Sequence, residues 1–174
     1  MIAVALWGIV CLITLASCWS DVRRLIIPNS HSIAIAGLFF LAYVLAPLSF
    51  GSLTGHLLTG FLFFLVGFLL FARGMLCGGD AMLAAALGLL LCPKAVTPFL
   101  FFISVAGGVL ALFSIYIKKR KPFSKLSPES WVMQIQNGRS ALPYGVAISF
   151  GSWLGIFHTT GIGQKLHEVI SLAN

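Results

Sequence analysis

Acidic side chains are almost missing from this chain of 174 residues, which holds four Asp and Glu against eleven Lys and Arg. Charged residues of both signs make up 9% of the chain, whereas a soluble globular domain carries about 25%. With 59% hydrophobic residues and a mean hydropathy of +1.04, the composition excludes an ordinary soluble domain and predicts an integral membrane protein. We expect a single membrane-embedded domain over residues 1–174.

The sequence also lacks the patterns of two kinds of binding site. Its net charge of +7 alone is compatible with nucleic-acid binding, but the basic residues fall in short loops between apolar runs and are not interleaved with aromatic residues. We therefore expect no nucleic-acid partner. The four cysteines form no CxxC pair, so neither a zinc site nor a disulfide framework is favoured. We expect no metal and no cofactor.

Long apolar runs predict an all-α, polytopic membrane protein with six transmembrane helices in contact with lipid. A span needs about 20 apolar residues, because the hydrocarbon core is about 30 Å thick and a helix rises about 1.5 Å per residue. The predicted helices cover about residues 2–19, 31–48, 53–72, 80–93, 98–117 and 141–158, with a short helix at about 129–136. Thr97 is expected to cap the fifth helix.

The fourth predicted helix is short. Only 13 residues separate Asp80 from Lys94, and as a helix they reach about 20 Å, less than the hydrocarbon core. Asp80 is therefore expected below the membrane surface. We expect Gly78 and Gly79 to form a non-helical start to this helix, which membrane proteins tolerate where backbone is buried in protein.

The distribution of basic residues predicts the orientation in the membrane. With six crossings, nine Lys and Arg fall in loops on one side, and only Lys94 and Lys165 fall on the other. Such an asymmetry marks the cytoplasmic side, so both termini are expected outside. Asp21 and Asp80, the only two aspartates, each lie at the cytoplasmic end of a predicted helix.

Two carboxylates held close together in a poorly hydrated site cannot both ionise easily, so the pair shares a proton. The ionised member can take a proton from water while the protonated member polarises a carbonyl, as in aspartic proteases. Each aspartate also has an ordinary interpretation, with Asp80 as a helix cap and Asp21 as a surface partner of Arg24. Asn29 is likewise interpreted as a cap, and residues 143–145 as the start of a helix.

Three segments resemble the type IV prepilin leader peptidases. Residues 21–29, from Asp21 to Asn29, look like the D-x-R-x(3)-I-P-N element of that family. Residues 77–80 look like the end of its G-x-G-D motif, which also names a wider class of intramembrane aspartyl proteases. Residues 142–148 resemble the start of the last helix in the short members that serve Flp-type (tight-adherence) pili.

The resemblance implies an aspartic-type endopeptidase in the cytoplasmic (inner) membrane, with Asp21 and Asp80 as the catalytic pair. Its substrate would be a prepilin or pilin-like precursor, whose short basic leader is removed at the cytoplasmic face for pilus assembly or secretion. The supporting motif residues that it implies are Arg23, Pro28, Asn29, Gly78 and Gly79. The zinc-binding domain of the long members has no match, so methylation of the new N-terminus is not implied.

Two other interpretations stay open. One is a non-catalytic membrane transport or assembly subunit whose aspartates relay protons or pair with arginine. A transporter is expected to show paired half-helices in related halves, and no such symmetry is visible. The other is a degenerate, inactive prepilin peptidase, because Cys77 replaces the first glycine of G-x-G-D and Met82 replaces the lysine usual two residues after the aspartate. The sequence does not predict the oligomeric state.

Overall fold

The computed structural model describes residues 2–45, 52–91, 93–122, 130–138 and 142–159, and every regular element in these ranges is helical. A 3₁₀ turn, Pro93–Ala95, precedes α5. The α-helices are α1 (Ile2–Arg24), α2 (Asn29–Leu45), α3 (Leu53–Ala72), α4 (Gly78–Leu90), α5 (Val96–Arg120), α6 (Trp131–Gln136) and α7 (Tyr144–Thr159). The prediction of an all-α fold is therefore confirmed.

Three of the described helices are long and apolar enough to cross a membrane: Ala5–Arg24 within α1, Leu53–Ala72 and Val96–Arg120. The helices α2 and α4 are also apolar but shorter. Large apolar side chains are exposed on the long helices, including Leu12 at 67% and Leu112 at 69%. Such an extended apolar surface is typical of a membrane protein. The six predicted crossings stay a prediction.

The short helix α4 lies in the middle of the bundle. It contacts α2, α3 and α7, and eight of its thirteen residues are buried. Leu83 and Leu87 belong to the same core cluster as Phe39 from α2 and Phe99 from α5. At about 1.5 Å per residue α4 is about 20 Å long, so its neighbours extend beyond it.

Small residues allow α3 and α4 to approach closely. A Cβ added to Gly67 would lie 3.0 Å from the Cβ of Ala81, and one added to Gly88 would lie 3.2 Å from the Cα of Gly60. Close packing through small residues is typical of helix pairs in membranes, because it brings the two backbones into contact. This packing fixes the depth of α4 beside α3.

Polar contacts join α1 to α7. The indole N–H of Trp153 donates to the hydroxyl of Thr14 at 2.9 Å, and the hydroxyl of Ser149 donates to the carbonyl of Thr14 at 3.5 Å. The thiol of Cys18 donates to the carbonyl of Gly145 at 3.8 Å. Contacts nearer the C-terminal end of α1 lie nearer the N-terminal end of α7, so the two helices are antiparallel. We call this set of contacts the α1–α7 seam.

The structure corrects several predicted helix boundaries. Helix α1 continues past the predicted end at Trp19 to Arg24, and the chain turns at Leu25, whose φ is +54° and whose N–H donates to the carbonyl of Asp21. Helix α2 begins at Asn29, slightly before its predicted start. Helix α5 begins at Val96, so Thr97 lies in its first turn and is not the cap.

The third predicted helix is confirmed with the bounds Leu53–Ala72. Helices α6 and α7 begin at Trp131 and Tyr144, slightly after their predicted starts, because residues 130, 142 and 143 are not helical; residues 129 and 141 themselves lie outside the described ranges. The predicted turn before Ser52, part of the basic loop after α5 and the residues beyond 159 also lie outside the described ranges.

Candidate active site

Asp21 lies in the last turn of α1 and is only 3% exposed. Its Oδ2 accepts a hydrogen bond of 2.7 Å from the backbone N–H of Gly145, at the start of α7. The first N–H groups of a helix have no partner inside it, and the helix dipole favours negative charge there. Arg24 is exposed, so the interpretation of Asp21 as its partner at the surface does not fit a buried carboxylate bonded to α7.

Asp80 is the third residue of α4 and is 2% exposed. Its Oδ2 accepts a hydrogen bond from the backbone N–H of Cys77 at 3.3 Å. The interpretation of Asp80 as a cap of this helix therefore accounts for only one of its two oxygens. The other oxygen, Oδ1, is buried and has no hydrogen-bond partner among the described residues. An unpaired buried polar atom costs free energy, so this oxygen is a candidate functional atom.

The two carboxyl groups lie close enough for the charge of Asp21 to act on Asp80. Cys77 is near both of them. Partial loss of solvent raises the pKa of the Cys77 thiol, and the negative charges of Asp80 and Asp21 raise it further. The thiol therefore stays uncharged near pH 7 and is not a thiolate nucleophile.

Ile27 fills the space between the two segments that carry the aspartates. It is 5% exposed. Its carbonyl oxygen would lie 2.6 Å from a Cβ added to Gly79, and its Cδ1 would lie 2.5 Å from a Cβ added to Gly145. Real Cβ atoms essentially never approach so closely. Glycine at both positions lets Ile27 reach α4 and α7 at once, which brings Asp80 and Asp21 together.

The structure corrects the prediction that Gly78 and Gly79 form a non-helical start. Both are helical and are the first two residues of α4, and the extended residue is Cys77, with φ −77° and ψ 152°. The two glycines also differ in their surroundings. A Cβ added to Gly78 would meet only the ring of Phe71, at the ordinary distance of 3.6 Å. Of the two positions, only residue 79 requires glycine, because Ile27 approaches its backbone closely.

The other predicted motif residues lie at the surface of the α1–α2 connection. Arg23, Pro28 and Asn29 are exposed. The guanidinium of Arg23 lies 4.1 Å from the ring centroid of Trp19, a cation–π contact. Pro28 accepts the N–H of His31 at 3.1 Å, and Asn29 begins α2. Within the described residues, none of the three forms a hydrogen bond with either aspartate.

Met82 points away from the pair. It follows Asp80 by two residues, which is about 200° around a helix. Its side chain is 38% exposed and lines an apolar groove of about 300 Å³ between α2, α3 and α4. The side chain at this position therefore faces the groove and not the carboxyl group of Asp80.

Sequence reasoning missed Gly145, because it interpreted residues 143–145 only as the start of a helix. A backbone N–H has no side-chain signature, and the one available signal was the resemblance over residues 142–148. In the part of the chain that the structure describes, no group of three or more His, Cys, Asp or Glu side chains is placed to hold a metal ion.

Comparison with known proteins identifies a family. Neither the curated proteins nor the solved structures return a similar chain. The model of the type IV leader peptidase family matches residues 8–112, which is more than half of the chain and includes Asp21 and Asp80 together with all of α2, α3 and α4. Gly145 lies beyond the matched residues. The matched part contains both buried aspartates, and the chain belongs to the type IV leader peptidase family.

Proposed function

We propose that this protein is an aspartic-type prepilin peptidase in which Asp21 and Asp80 are the catalytic pair. Membership of the family supports a peptidase that acts on pilin precursors. The observation that carries the aspartic mechanism is the placement of two buried carboxyl groups within electrostatic reach of each other, one of which has an oxygen without a hydrogen-bond partner among the described residues. Two carboxyl groups that share a proton can hydrolyse a peptide bond.

In the proposed reaction Asp80 is protonated on Oδ1 and Asp21 is ionised. Asp80 donates its proton to the oxygen of the scissile carbonyl while water attacks the carbonyl carbon and gives a proton to Asp21. The tetrahedral diol then collapses, and the C–N bond breaks. Asp21 passes its proton to the leaving amine, and a hydroxyl proton of the diol returns to Asp80. One water is consumed, and both carboxyl groups return to their starting states.

The hydrogen bonds support this division of roles. Oδ2 of Asp21 accepts an N–H at 2.7 Å, a bond that is strongest when the acceptor is charged. Asp80 receives a longer bond, of 3.3 Å, on Oδ2 only. Its Oδ1 has no partner among the described residues, so a proton there is free to bond a substrate carbonyl.

We also propose six crossings of the cytoplasmic (inner) membrane, with both termini outside and the aspartate pair toward the cytoplasm. The antiparallel packing of α1 and α7 is compatible with the first and sixth crossings. Arg23 and Arg24 lie in the last turn of α1, and Lys118, Lys119 and Arg120 lie in the last turn of α5. Odd-numbered crossings end on the same side, so these basic ends favour one cytoplasmic face.

The substrate we propose is a Flp-type pilin or pilin-like precursor, processed for pilus assembly or secretion. The resemblance of residues 142–148 to the short Flp-serving members supports this choice. A basic leader at the cytoplasmic face would bring the peptide bond before the apolar pilin helix to the depth of Asp80. Membrane lipid would surround both enzyme and substrate.

Replacement of either aspartate by asparagine tests the proposal. Asp21→Asn and Asp80→Asn keep the side-chain shape but remove the exchangeable carboxyl proton, so we expect leader cleavage to fall by at least about 100-fold. Cleavage is followed as a gel shift of a co-expressed Flp-type prepilin, with enzyme level measured in the same membranes. Arg24→Lys is the control, because it changes an exposed residue and keeps the positive charge. This variant should cleave normally.

Near-normal cleavage by either asparagine variant would refute the catalytic pair. If the parent chain itself cleaves no prepilin although it is inserted in the membrane, the interpretation as a degenerate, inactive peptidase is favoured instead.

A further inference from the structure

Gly145 contributes two features to the site at once. Its N–H donates to Oδ2 of Asp21 at 2.7 Å, and its lack of a side chain leaves room for the same carboxyl group. A Cβ at this position would lie 2.8 Å from Oδ2 and 3.3 Å from Cγ of Asp21. No residue other than glycine therefore provides this N–H without displacing the carboxyl group that accepts it.

The α1–α7 seam holds Gly145 opposite Asp21. Thr14 bonds to Trp153 and Ser149, while Cys18 bonds to the carbonyl of Gly145 itself. These contacts continue toward the end of α1 that carries Asp21. They fix the register of the two helices, so the N–H of Gly145 has a defined place relative to the carboxyl group.

We propose that Gly145 is a positioning residue that orients Asp21 for catalysis. Its N–H holds Oδ2 in place and uses one of the lone pairs of that oxygen, which leaves Oδ1 as the better acceptor for the proton of the attacking water. The residue does not touch the substrate, and it acts through the orientation of Asp21. This inference rests on the proposed function, because it assigns a task to Asp21 within the same reaction.

Gly145→Ala is the direct perturbation. To bring the new Cβ from 2.8 Å to an ordinary contact of 3.4 Å, the carboxyl group of Asp21 or the start of α7 must move by about 0.6 Å. A misplacement of about 1 Å can cost about 100-fold in rate. We therefore expect kcat to fall about 10- to 100-fold, with KM within about twofold of the parent, since the substrate does not contact Gly145.

A double-mutant cycle separates the carboxyl group from simple packing. The same Cβ would lie 2.5 Å from Cδ1 of Ile27, and Ile27→Val removes that atom. If Asp21 is the affected group, Gly145→Ala should lower kcat by the same factor in the parent and in the Ile27→Val background. If Ile27 is the affected group, the loss should disappear in the Ile27→Val background, and that result would overturn the proposal.

Gly151→Ala is the matched control on the same helix. Its Cβ would lie 2.8 Å from the backbone nitrogen of Ile103 in α5, so it disturbs the packing of α7 away from the aspartates. We expect it to lower the amount of folded enzyme but to keep the kcat of the folded fraction. An equal loss of kcat in Gly151→Ala would mean that any disturbance of α7 has this effect, which would refute a specific role for Gly145.

The measurements use purified full-length enzyme in lipid vesicles with a prepilin substrate, and rates are normalised to folded protein. If Gly145→Ala does not accumulate, the Ile27→Val background, which lacks the shorter contact, supplies the comparison. Cleavage by Asp21→Asn would refute the proposed function itself. An inactive Asp21→Asn together with a fully active Gly145→Ala would refute only the positioning role.

Discussion

The two glycines before Asp80 provide a sharp test of the site, because they are neighbours in the chain with different surroundings. A Cβ added to Gly79 would lie 2.6 Å from the carbonyl oxygen of Ile27 and 3.0 Å from its Cβ. An ordinary contact of 3.4 Å requires α4 and the α1–α2 connection to separate by about 0.8 Å. Such a shift moves Asp80 relative to Asp21, and we expect Gly79→Ala to reduce cleavage about 10- to 100-fold.

Gly78→Ala is the matched control, one residue away. Its Cβ would meet the ring of Phe71 at 3.6 Å, so nothing has to move. Alanine also has a higher helix propensity than glycine, by about 0.5–1 kcal/mol within a helix. We expect normal or slightly higher enzyme levels and normal cleavage.

Both variants are compared by initial rates of prepilin cleavage at equal amounts of folded enzyme. A large difference between neighbouring glycines supports the close approach of Ile27 as the cause. Equal activity of the two variants, whether both are active or both are impaired, would show that the contact between Ile27 and Gly79 does not set the position of Asp80.

Two further predictions concern the seam and the orientation. Trp153→Phe keeps an aromatic ring but removes the N–H that bonds Thr14. We therefore expect the free energy of unfolding to fall by about 0.5–1.5 kcal/mol, which is measured as a lower thermal midpoint. An unchanged midpoint would show that this hydrogen bond does not contribute to stability. With the other cysteines replaced, an impermeant maleimide should label Cys77 in inside-out vesicles but not in intact cells. Labelling should accelerate as pH rises toward the raised pKa of this thiol, because the thiolate is the reacting form. Labelling from outside would reverse the proposed topology.

The sequence predicted helix ends well where a local signal stops the helix, and poorly where only polarity changes. Helix α3 begins after Ser52, whose side chain accepts the N–H of Gly55, and it ends before Gly74, with φ +69°. Both residue types are known helix-boundary signals. The end of α1 was placed too early, because its backbone hydrogen bonds continue through polar residues until the turn at Leu25.

The two aspartates could be paired from the sequence because they are the only ones and each lies at the end of an apolar run. The features that hold them in place could not be predicted in the same way. Gly78 and Gly79 are the same residue type, and only the position of Ile27 in space distinguishes them. The donor to Asp21 is a backbone N–H at residue 145, and every residue except proline has such a group.

The bond between Asp21 and Gly145 joins residues 124 positions apart in the chain, which has a consequence for biosynthesis. At about 5–20 residues per second, a ribosome needs roughly 6–25 seconds to advance from one to the other. During that interval α1 and α4 can already be in the membrane, but Asp21 has no N–H from α7 to orient it. If Gly145 orients Asp21 as proposed, a nascent chain would cleave its substrate poorly until α7 has been inserted.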